Sequence, residues 1–443
     1  MRSWIGLLFA GFAASACGDD GASAPAPIEG CVDAAEVLVG RGAACRSTVG
    51  TGALDPVLIT TRNDGLLLSP GQGAMLYRSS DLGGSWQPLD PTGSGADKGA
   101  RLHPYLHRDP ASGRTYFNYF NFGRGAPGCD ASSGTNLWFS DDDGATWKGR
   151  SVGCGSHDWA KVITGPAPTP ALGSALQSSG AKSVVYLCAT GPTLIIGPDH
   201  MCYRSTDGGD SFVATATPAA NSVDSPVALV PIAFPQAGVV ASDGIIYKSH
   251  AAVDGQLALK ISRDGGDSWE KKLVAEAQLA GGYTNFLSSN LAIDSEDTLY
   301  LVWVDDRDVL PYLSISRDRG VTWSARTKLS ADEVKHGAYP NVAVFAPGHI
   351  AVAYYGSPSA DGTGDGYSGP DGRPYHAYLS VSKQTTGAPS FVTARINAED
   401  APVVASWSFA TSEYLGPPVL TSDGTVWAAF VNTDSVLIGR LEL

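Results

Sequence analysis

Arginine side chains that could hold an acidic ligand occur at three separated points of the sequence: Arg101, Arg307 and Arg373. A guanidinium binds a carboxylate through two parallel hydrogen bonds, which give both affinity and orientation. The 443-residue chain carries a net charge of −14, so attraction for an acidic sugar must come from a local group of arginines. The same charge argues against nucleic acid or an anionic membrane surface as an electrostatic partner.

Groups that could transfer a proton or attack a sugar accompany these arginines. Asp158 or Asp305 could act as a general acid. Tyr414 could act as a nucleophile once a base has removed its proton. The alternative for Asp305 and Arg307 is a structural salt bridge between neighbouring repeat units.

Two further residues could bind the same ligand: His103, in the sequence HPY, and Tyr339. In a polysaccharide lyase this pair could instead move a proton on an acidic polymer. The alternative for each histidine of the chain is a cap on a turn. We expect His103 to touch a bound ligand.

A glycine-rich stretch, SPSADGTGDGYSGPDGRPY, spans Ser357 to Tyr375 and contains three hard oxygen ligands: Asp361, Asp365 and Asp371. Carboxylates on such a backbone suit Ca²⁺, but no bidentate glutamate follows at the EF-hand position. A solvated lid is the alternative interpretation, and it is the one that we favour. No other metal or cofactor is expected.

An octapeptide of the form S-x-D-x-G-x-[ST]-[WF] occurs five times, with spacings of 61, 65, 57 and 54 residues. The copies are Ser79–Trp86, Ser140–Trp147, Ser205–Phe212, Ser262–Trp269 and Ser316–Trp323, with a sixth, eroded copy at Ser382–Phe391. The aspartate can accept hydrogen bonds from turn amides, and the glycine permits a positive φ. Because the same residues recur in every unit, we expect them to fasten turns and to have no catalytic role.

Each octapeptide follows an alternating strand and lies in a unit with three more strands, which predicts an all-β fold of four-stranded antiparallel propeller blades. The predicted innermost strands begin at seven points: Pro56, Pro104, Trp159, Pro226, Phe286, Pro340 and Pro418. Seven blades are therefore expected, with six as the alternative. The last unit has about three strands, and Glu36–Gly40 could supply the fourth and close the ring.

A propeller of this kind explains how the candidate residues could meet. Ligands are expected over the central funnel, on loops that enter the innermost strand or follow the second strand. The first set of loops carries Arg101, His103, Asp158, Tyr339 and Tyr414. The second set carries Asp305, Arg307 and Arg373.

The octapeptides resemble those of the Asp-box, or bacterial neuraminidase repeat, family of sialidase-like propellers, and the unit Trp303–Trp323 resembles them most. The resemblance implies an exo-acting, sialidase-like glycoside hydrolase that acts on glycans. The early Phe/Tyr-Arg-Ile-Pro motif of the sialidases is absent, and Tyr414 follows the family order of a late tyrosine. A non-catalytic surface propeller that binds glycan or protein, and a polysaccharide lyase, remain the alternatives.

The first residues resemble an export signal. Arg2 precedes an apolar run, and Ala14-Ser15-Ala16-Cys17 fits either a lipobox with lipidation of Cys17 or an ordinary cleavage site. We divide the chain into a lipoprotein-type signal peptide at 1–17, a flexible tether at 18–33 and the propeller at 34–443. This organisation predicts a bacterial cell-envelope lipoprotein of the outer membrane or cell surface, or alternatively a secreted protein. We expect a monomer whose membrane contact is the lipid anchor.

Cysteine parity supports the lipobox. Seven cysteines are present, and without Cys17 six remain as close pairs. We predict three local disulfides: Cys31–Cys45, Cys129–Cys154 and Cys188–Cys202. The alternative is that they are buried free thiols.

Overall fold

The computed structural model describes seventeen segments of the chain, which together contain seven antiparallel sheets around a common axis. The described residues are 32–33, 43–48, 56–63, 65–70, 76–83, 85–91, 100–122, 134–154, 158–190, 200–216, 237–251, 256–278, 289–362, 371–383, 389–406, 415–432 and 435–442. The architecture is the expected seven-bladed β-propeller, and the six-bladed alternative is excluded.

The strands are numbered in chain order, and each of the first six blades uses four consecutive strands from the centre outward. Blade 1 contains β3 (Val57–Thr60), β4 (Leu66–Ser69), β5 (Leu76–Ser79) and β6 (Gln87–Leu89). Blade 2 contains β7 (Ala100–Arg108), β8 (Thr115–Phe122), β9 (Gly134–Ser140) and β10 (Lys148–Cys154). Blade 3 contains β11 (Asp158–Gly165), β12 (Val184–Thr190), β13 (His200–Ser205) and β14 (Val213–Ala214).

The next three blades follow the same plan. Blade 4 contains β15 (Val239–Val240), β16 (Ile246–Ala251), β17 (Gln256–Ser262) and β18 (Glu270–Gln278). Blade 5 contains β19 (Ser289–Ile293), β20 (Leu299–Val304), β21 (Pro311–Ser316) and β22 (Thr327–Lys328). Blade 6 contains β23 (His336–Ala346), β24 (His349–Ser357), β25 (His376–Lys383) and β26 (Val392–Arg395).

Blade 7 joins the two ends of the chain. Its strands are β27 (Val419–Leu420), β28 (Val426–Asn432), β29 (Ser435–Glu442), β2 (Ala43–Thr48) and β1 (Val32–Asp33). The pairing of β2 with β29 closes the ring as expected, but the strand is Ala43–Thr48, and the prediction that Glu36–Gly40 supplies it was wrong. The fourth strand of the blade is defined by its backbone pairing with β29, so the more hydrophobic EVLVG segment was a poor guide.

The predicted innermost strands agree with the structure at five of the seven points. Pro56 and Pro418 immediately precede β3 and β27, Pro104 and Pro340 lie inside β7 and β23, and Trp159 lies inside β11. The predicted starts at Pro226 and Phe286 lie outside the described residues. The first strands of successive blades pack side by side around the axis, and their buried residues contribute to two large apolar clusters.

All five octapeptides form the same turn between the third and fourth strands. In Ser316–Trp323 the hydroxyl of Ser316 accepts a hydrogen bond from Gly320 N at 2.7 Å, and Asp318 accepts one from Thr322 N at 2.7 Å. Gly320 has a φ of 81°, as the glycine position requires. The serine-to-glycine bond recurs in the other four copies. The residues therefore fasten turns, as their recurrence predicts.

A helix that the sequence pattern does not indicate joins the first two strands of blade 3. This helix, α1 (Pro170–Ser179), has Thr169 as its N-cap, proline at its first position and Gly180 with a φ of 76° at its end. No helix among the described residues has the length and apolarity needed to cross a membrane.

One of the three predicted disulfides lies within the described residues and is present. Cys188 and Cys202 occupy directly opposed positions of β12 and β13, with an S–S distance of 2.04 Å. The pairs Cys31–Cys45 and Cys129–Cys154 remain predictions, because Cys31 and Cys129 lie outside the described residues. Cys17 and the proposed signal also lie outside them, and Val32 and Asp33 at the end of the predicted tether form β1.

Candidate functional site

The blade topology gives the propeller two faces of different character. In an antiparallel blade the first strand begins at the end where the second strand stops, so these loops share one face, here called the funnel face. The octapeptide turns lie at the opposite end of the third strand, on the turn face. The candidate residues predicted from the sequence lie on the funnel face wherever the structure describes them.

The innermost strands of three blades are bulged where they enter from the funnel face. Pairing with the second strand shifts register at Leu102/Tyr105, Asp158/Lys161 and Ala338/Asn341. Inside these bulges His103, Trp159 and Tyr339 have φ values of 51°, 57° and 52°, a left-handed backbone that non-glycine residues seldom adopt. Such strain is concentrated at ligand sites, which supports the predicted position of His103 and Tyr339.

The bulges of blades 2 and 3 bring aromatic and cationic groups together. The rings of His103 and Trp159 stack with their centroids 4.1 Å apart. The ammonium of the buried Lys161 lies 4.9 Å from the ring centroid of Tyr105 and 5.6 Å from that of Trp159. Lys161 was not recognised from the sequence, because a lysine in a strand pattern gives no signal of burial.

The loop after the second strand of blade 5 places Arg307 on a buried carboxylate. Asp305 is fully buried and accepts hydrogen bonds from Arg307 Nε at 2.7 Å and Nη2 at 2.8 Å. Trp303 Nε1 donates a third bond at 3.0 Å, and Arg326 Nη1 lies 2.7 Å away. The side chain of Arg307 remains 47% exposed. The guanidinium is thus both oriented and accessible.

This environment does not suit Asp305 for the predicted role of general acid. Burial pushes the pKa of the Asp305 carboxyl upward, but hydrogen bonds from Arg307 and Trp303 outweigh it, so the pKa lies below the usual 3.8. A general acid needs a raised pKa. The ion pair with Arg307 lies within one blade, so the alternative of a salt bridge between repeat units does not describe it either. The role that fits Asp305 is to hold Arg307.

The corresponding loop of blade 6 repeats the arrangement with Asp371 and Arg373. Asp371 is also fully buried, and it accepts bonds from Arg373 N at 3.0 Å and from Arg373 Nη1 at 3.3 Å. The sequence contains the signal for this repeat, which was missed. D-x-R-x4-Y-L-S-x-S runs from Asp305 to Ser316 and again, with identical spacing, from Asp371 to Ser382.

A hydrogen-bonded chain extends from Asp371 toward the funnel. Tyr375 donates its hydroxyl proton to Asp371 Oδ2 at 2.7 Å, and the hydroxyl oxygen of Tyr375 lies 3.0 Å from Nδ1 of His336. Burial, together with the negative Asp371, raises the pKa of Tyr375 far above its usual value. Burial and the charge of Arg373 lower the pKa of His336 from 6.5 to about 4. At neutral pH both groups are therefore uncharged.

A backbone bond joins the two loops into one wall. Gly337 N in β23 donates to the carbonyl of Val309, in the loop of Arg307, at 2.7 Å. Arg307 is thereby connected to the strand that begins with His336, and His336 is connected through Tyr375 to the loop of Arg373. The structure brings Arg307, Arg373 and His336 to adjoining parts of the funnel face.

Other predicted site residues are placed less completely. Arg101 lies in β7 and Asp158 in β11, opposite Thr190, and only their backbone positions are described. Tyr414 and Asp365 lie outside the described residues. Asp371 was a candidate calcium ligand, but its oxygens bond to Tyr375 and Arg373. Within the described ranges, no three acidic, histidine or cysteine side chains are grouped so that they could hold a metal ion.

The turn face also has a central cavity, of about 380 Å³. Its buried carboxylates are Asp109, Asp294 and Asp297. Each already accepts bonds from protein groups: Asp109 from Ser183 at 2.8 Å, Asp294 from Tyr300 at 2.9 Å, and Asp297 from Ser242 at 2.6 Å. These bonds tie neighbouring segments together, so the funnel face is the better candidate site.

Comparison with known proteins identifies the fold. No family model and no curated protein sequence matches the chain. The solved structure of YCF48 bound to D1 peptide matches with a TM-score of 0.51 and 11% identity, covering 92% of this chain and 99% of that one. The Hadza microbial sialidase Hz136 matches with a TM-score of 0.41 and 14% identity, covering 88% of this chain and 66% of that one.

An α-L-arabinanase from Penicillium chrysogenum, complexed with arabinobiose, matches with a TM-score of 0.44 and 13% identity. That match covers 70% of this chain and 94% of the arabinanase. At such identities the likeness concerns the fold alone.

Proposed function

We propose that this chain is an exported, glycan-acting propeller that binds an acidic sugar on its funnel face. The observation that carries the proposal is the pair of Asp-x-Arg loops in blades 5 and 6. Each holds an arginine on a fully buried aspartate. The Val309–Gly337 bond joins the Arg307 loop to β23, and His336 of β23 contacts Tyr375 of the Arg373 loop. Arginines fixed in this way are pre-organised, so a sugar carboxylate loses less free energy in ordering them.

Direct hydrogen bonds account for the expected selectivity better than long-range attraction does. Asp306 and Asp308 lie exposed on either side of Arg307, and the chain as a whole is strongly acidic. Long-range steering of an anion is therefore weak. A carboxylate that reaches the guanidinium gains charge-assisted bonds that a neutral sugar cannot make.

Binding of 3′-sialyllactose, trigalacturonate and neutral lactose to the purified chain tests this proposal. By isothermal titration we expect binding of an acidic sugar that exceeds lactose binding by about tenfold or more. Arg307→Ala should remove most of that difference. Asp305 keeps Arg326 as a partner in this variant, so its charge is not left unpaired.

Arg319→Ala is the matched control. Arg319 is 42% exposed and is also held by two aspartates, Asp243 and Asp297, but it lies on the turn face. This variant should bind the acidic sugar as the native chain does. The proposal is overturned if the chain binds acidic and neutral sugars equally. It is also overturned if Arg307→Ala and Arg319→Ala lose the same amount of affinity for the acidic sugar.

A non-catalytic glycan-binding role is the second candidate, and the state of Asp305 favours it. That carboxyl, predicted as a general acid, has a lowered pKa and no solvent exposure. Turnover of a fluorogenic sialoside by the same samples separates the two candidates. Turnover that depends on Arg307 excludes a binding-only function, and acidic-sugar binding without turnover of this sialoside excludes the exo-sialidase activity.

A further inference from the structure

His336 is the residue of the funnel wall whose chemistry the sugar-binding proposal leaves unused. It begins β23, is 8% exposed, and its ring meets that of Tyr375 edge-on at a centroid distance of 5.9 Å. Its Nδ1 lies 3.0 Å from the Tyr375 hydroxyl oxygen. The imidazole is therefore held in one orientation by a buried neighbour.

The hydrogen-bond chain assigns the protons of this imidazole. A tyrosine hydroxyl has one proton, and Tyr375 donates it to Asp371. The short contact between Tyr375 and His336 then requires a proton on Nδ1, which donates to the phenol oxygen. In the neutral ring Nε2 consequently carries a lone pair. In the described part of the chain, no hydrogen bond engages this Nε2.

We propose that Nε2 of His336 is the proton acceptor in a β-elimination that cleaves a uronate-containing polysaccharide, an inference that rests on the proposed function and specifies its reaction. With the sugar carboxylate bound by arginine, Nε2 removes the proton from the adjacent carbon. The electron pair of that C–H bond forms a carbon–carbon double bond, and the bond from the β-carbon to the glycosidic oxygen breaks. The proton on Nε2 then passes to the leaving oxygen, so nothing else is consumed.

The charges around His336 favour this step over hydrolysis. Arg373 neutralises a carboxylate and thereby makes the neighbouring C–H bond more acidic, while Asp371 and Tyr375 orient the ring. Protonation of a glycosidic oxygen needs a carboxylic acid with a raised pKa. Asp305 and Asp371, the buried carboxylates of the two Asp-x-Arg loops, are both held in ion pairs with arginine. The neutral imidazole of His336 as base, with Arg373 held in place beside it, therefore suits elimination.

To test this, the full chain is incubated with polygalacturonate, alginate or hyaluronate. The ultraviolet absorbance of the unsaturated uronate product is then measured over time. His336→Gln should lower kcat by roughly 10²- to 10⁴-fold with little change in KM, because it removes the base and leaves the arginines in place. Tyr375→Phe, which alters a positioning residue, should lower kcat less and change the pH profile. The charged groups that act on His336 in that profile are Asp371 and Arg373, and Tyr339 acts on its neighbour Tyr375.

His107→Gln is the matched control. His107 is another imidazole whose pKa burial lowers to about 4, but it bonds Thr164 at 2.8 Å beside the turn-face cavity. It should retain native kcat. If the chain binds acidic sugar through Arg307 but forms no unsaturated product from these polymers, the elimination is wrong and the proposed function stands. Full activity of a folded His336→Gln variant overturns the role of His336. If the native chain does not bind acidic sugar, both the elimination and the proposed function are overturned.

Discussion

Two residues at the entrance to innermost strands on the funnel face, His103 and Tyr339, have a strained, left-handed backbone. His103 and Tyr339 both precede proline, a context that disfavours helical backbone and favours extended conformations. Their φ values of 51° and 52° are instead left-handed. The sequence could place these residues at the entrance of an innermost strand, but the bulge that imposes their conformation depends on pairing with the second strand.

Residue roles were harder to predict than residue positions. Asp305, Arg307 and Arg373 are on the predicted face, yet the partner of each arginine is the aspartate two residues earlier. From the sequence, Asp305 was predicted as a general acid and Asp371 was considered as a calcium ligand. Burial decides between those roles and an ion pair, and burial follows from packing between distant segments.

The protonation of His336 gives a prediction at this scale. Its pKa is about 4 in the folded chain and 6.5 ordinarily, so the unfolded chain binds more protons between these values. Stability from the neutral ring is complete above pH 6.5 and is lost as the pH falls toward 4. Between pH 7 and pH 5 the loss is roughly 2 kcal/mol.

Urea unfolding of the native chain and of His336→Gln at these two pH values measures this contribution. Glutamine does not titrate, so the free energy of unfolding should fall less in the variant than in the native chain. An identical fall in both would show that His336 is not held neutral in the folded state.

Strands and turns were predictable to the extent that their causes are local. The octapeptide turn is stabilised by bonds within eight residues, and its recurrence makes it visible in one sequence. The helix α1 has a local cap at Thr169 but only ten residues, too few for a clear periodic signal. The fourth strand of blade 7 could not be located, because β2 pairs with a segment almost 400 residues away.

Removal of one turn hydroxyl tests the fastening role. Ser262 is fully buried, accepts from Gly266 N at 2.8 Å and donates to Asp264 at 2.9 Å. Ser262→Ala should lower the free energy of unfolding by about 1–3 kcal/mol, since it leaves a buried amide without its acceptor. Binding of acidic sugar should be unchanged in the folded variant.

Ser178→Ala serves as the comparison for that loss. Ser178 is exposed on α1, where its hydroxyl bonds the Ser174 carbonyl, and its removal should change stability by less than about 0.5 kcal/mol. Equal effects of the two serine substitutions in urea unfolding would argue against the turn as a source of stability.

In the whole molecule, the turns that stabilise the blades and the loops of the candidate site lie on opposite faces. Closure of the ring by β2 leaves the first-strand entrances and the Asp-x-Arg loops on one face and the octapeptide turns on the other. The spacing of the predicted innermost strands was enough to favour seven blades over six. The funnel wall depends on contacts between blades, such as that of Val309 with Gly337, and no local pattern specifies those.

Hydrogen–deuterium exchange of the full chain, with and without a saturating acidic oligosaccharide that the titrations show to bind, tests the location of the site most directly. We expect slower exchange in segments 305–311, 336–341 and 371–377, and unchanged exchange in the five octapeptide turns. Slower exchange confined to the octapeptide turns, with the three funnel segments unaffected, would contradict this expectation.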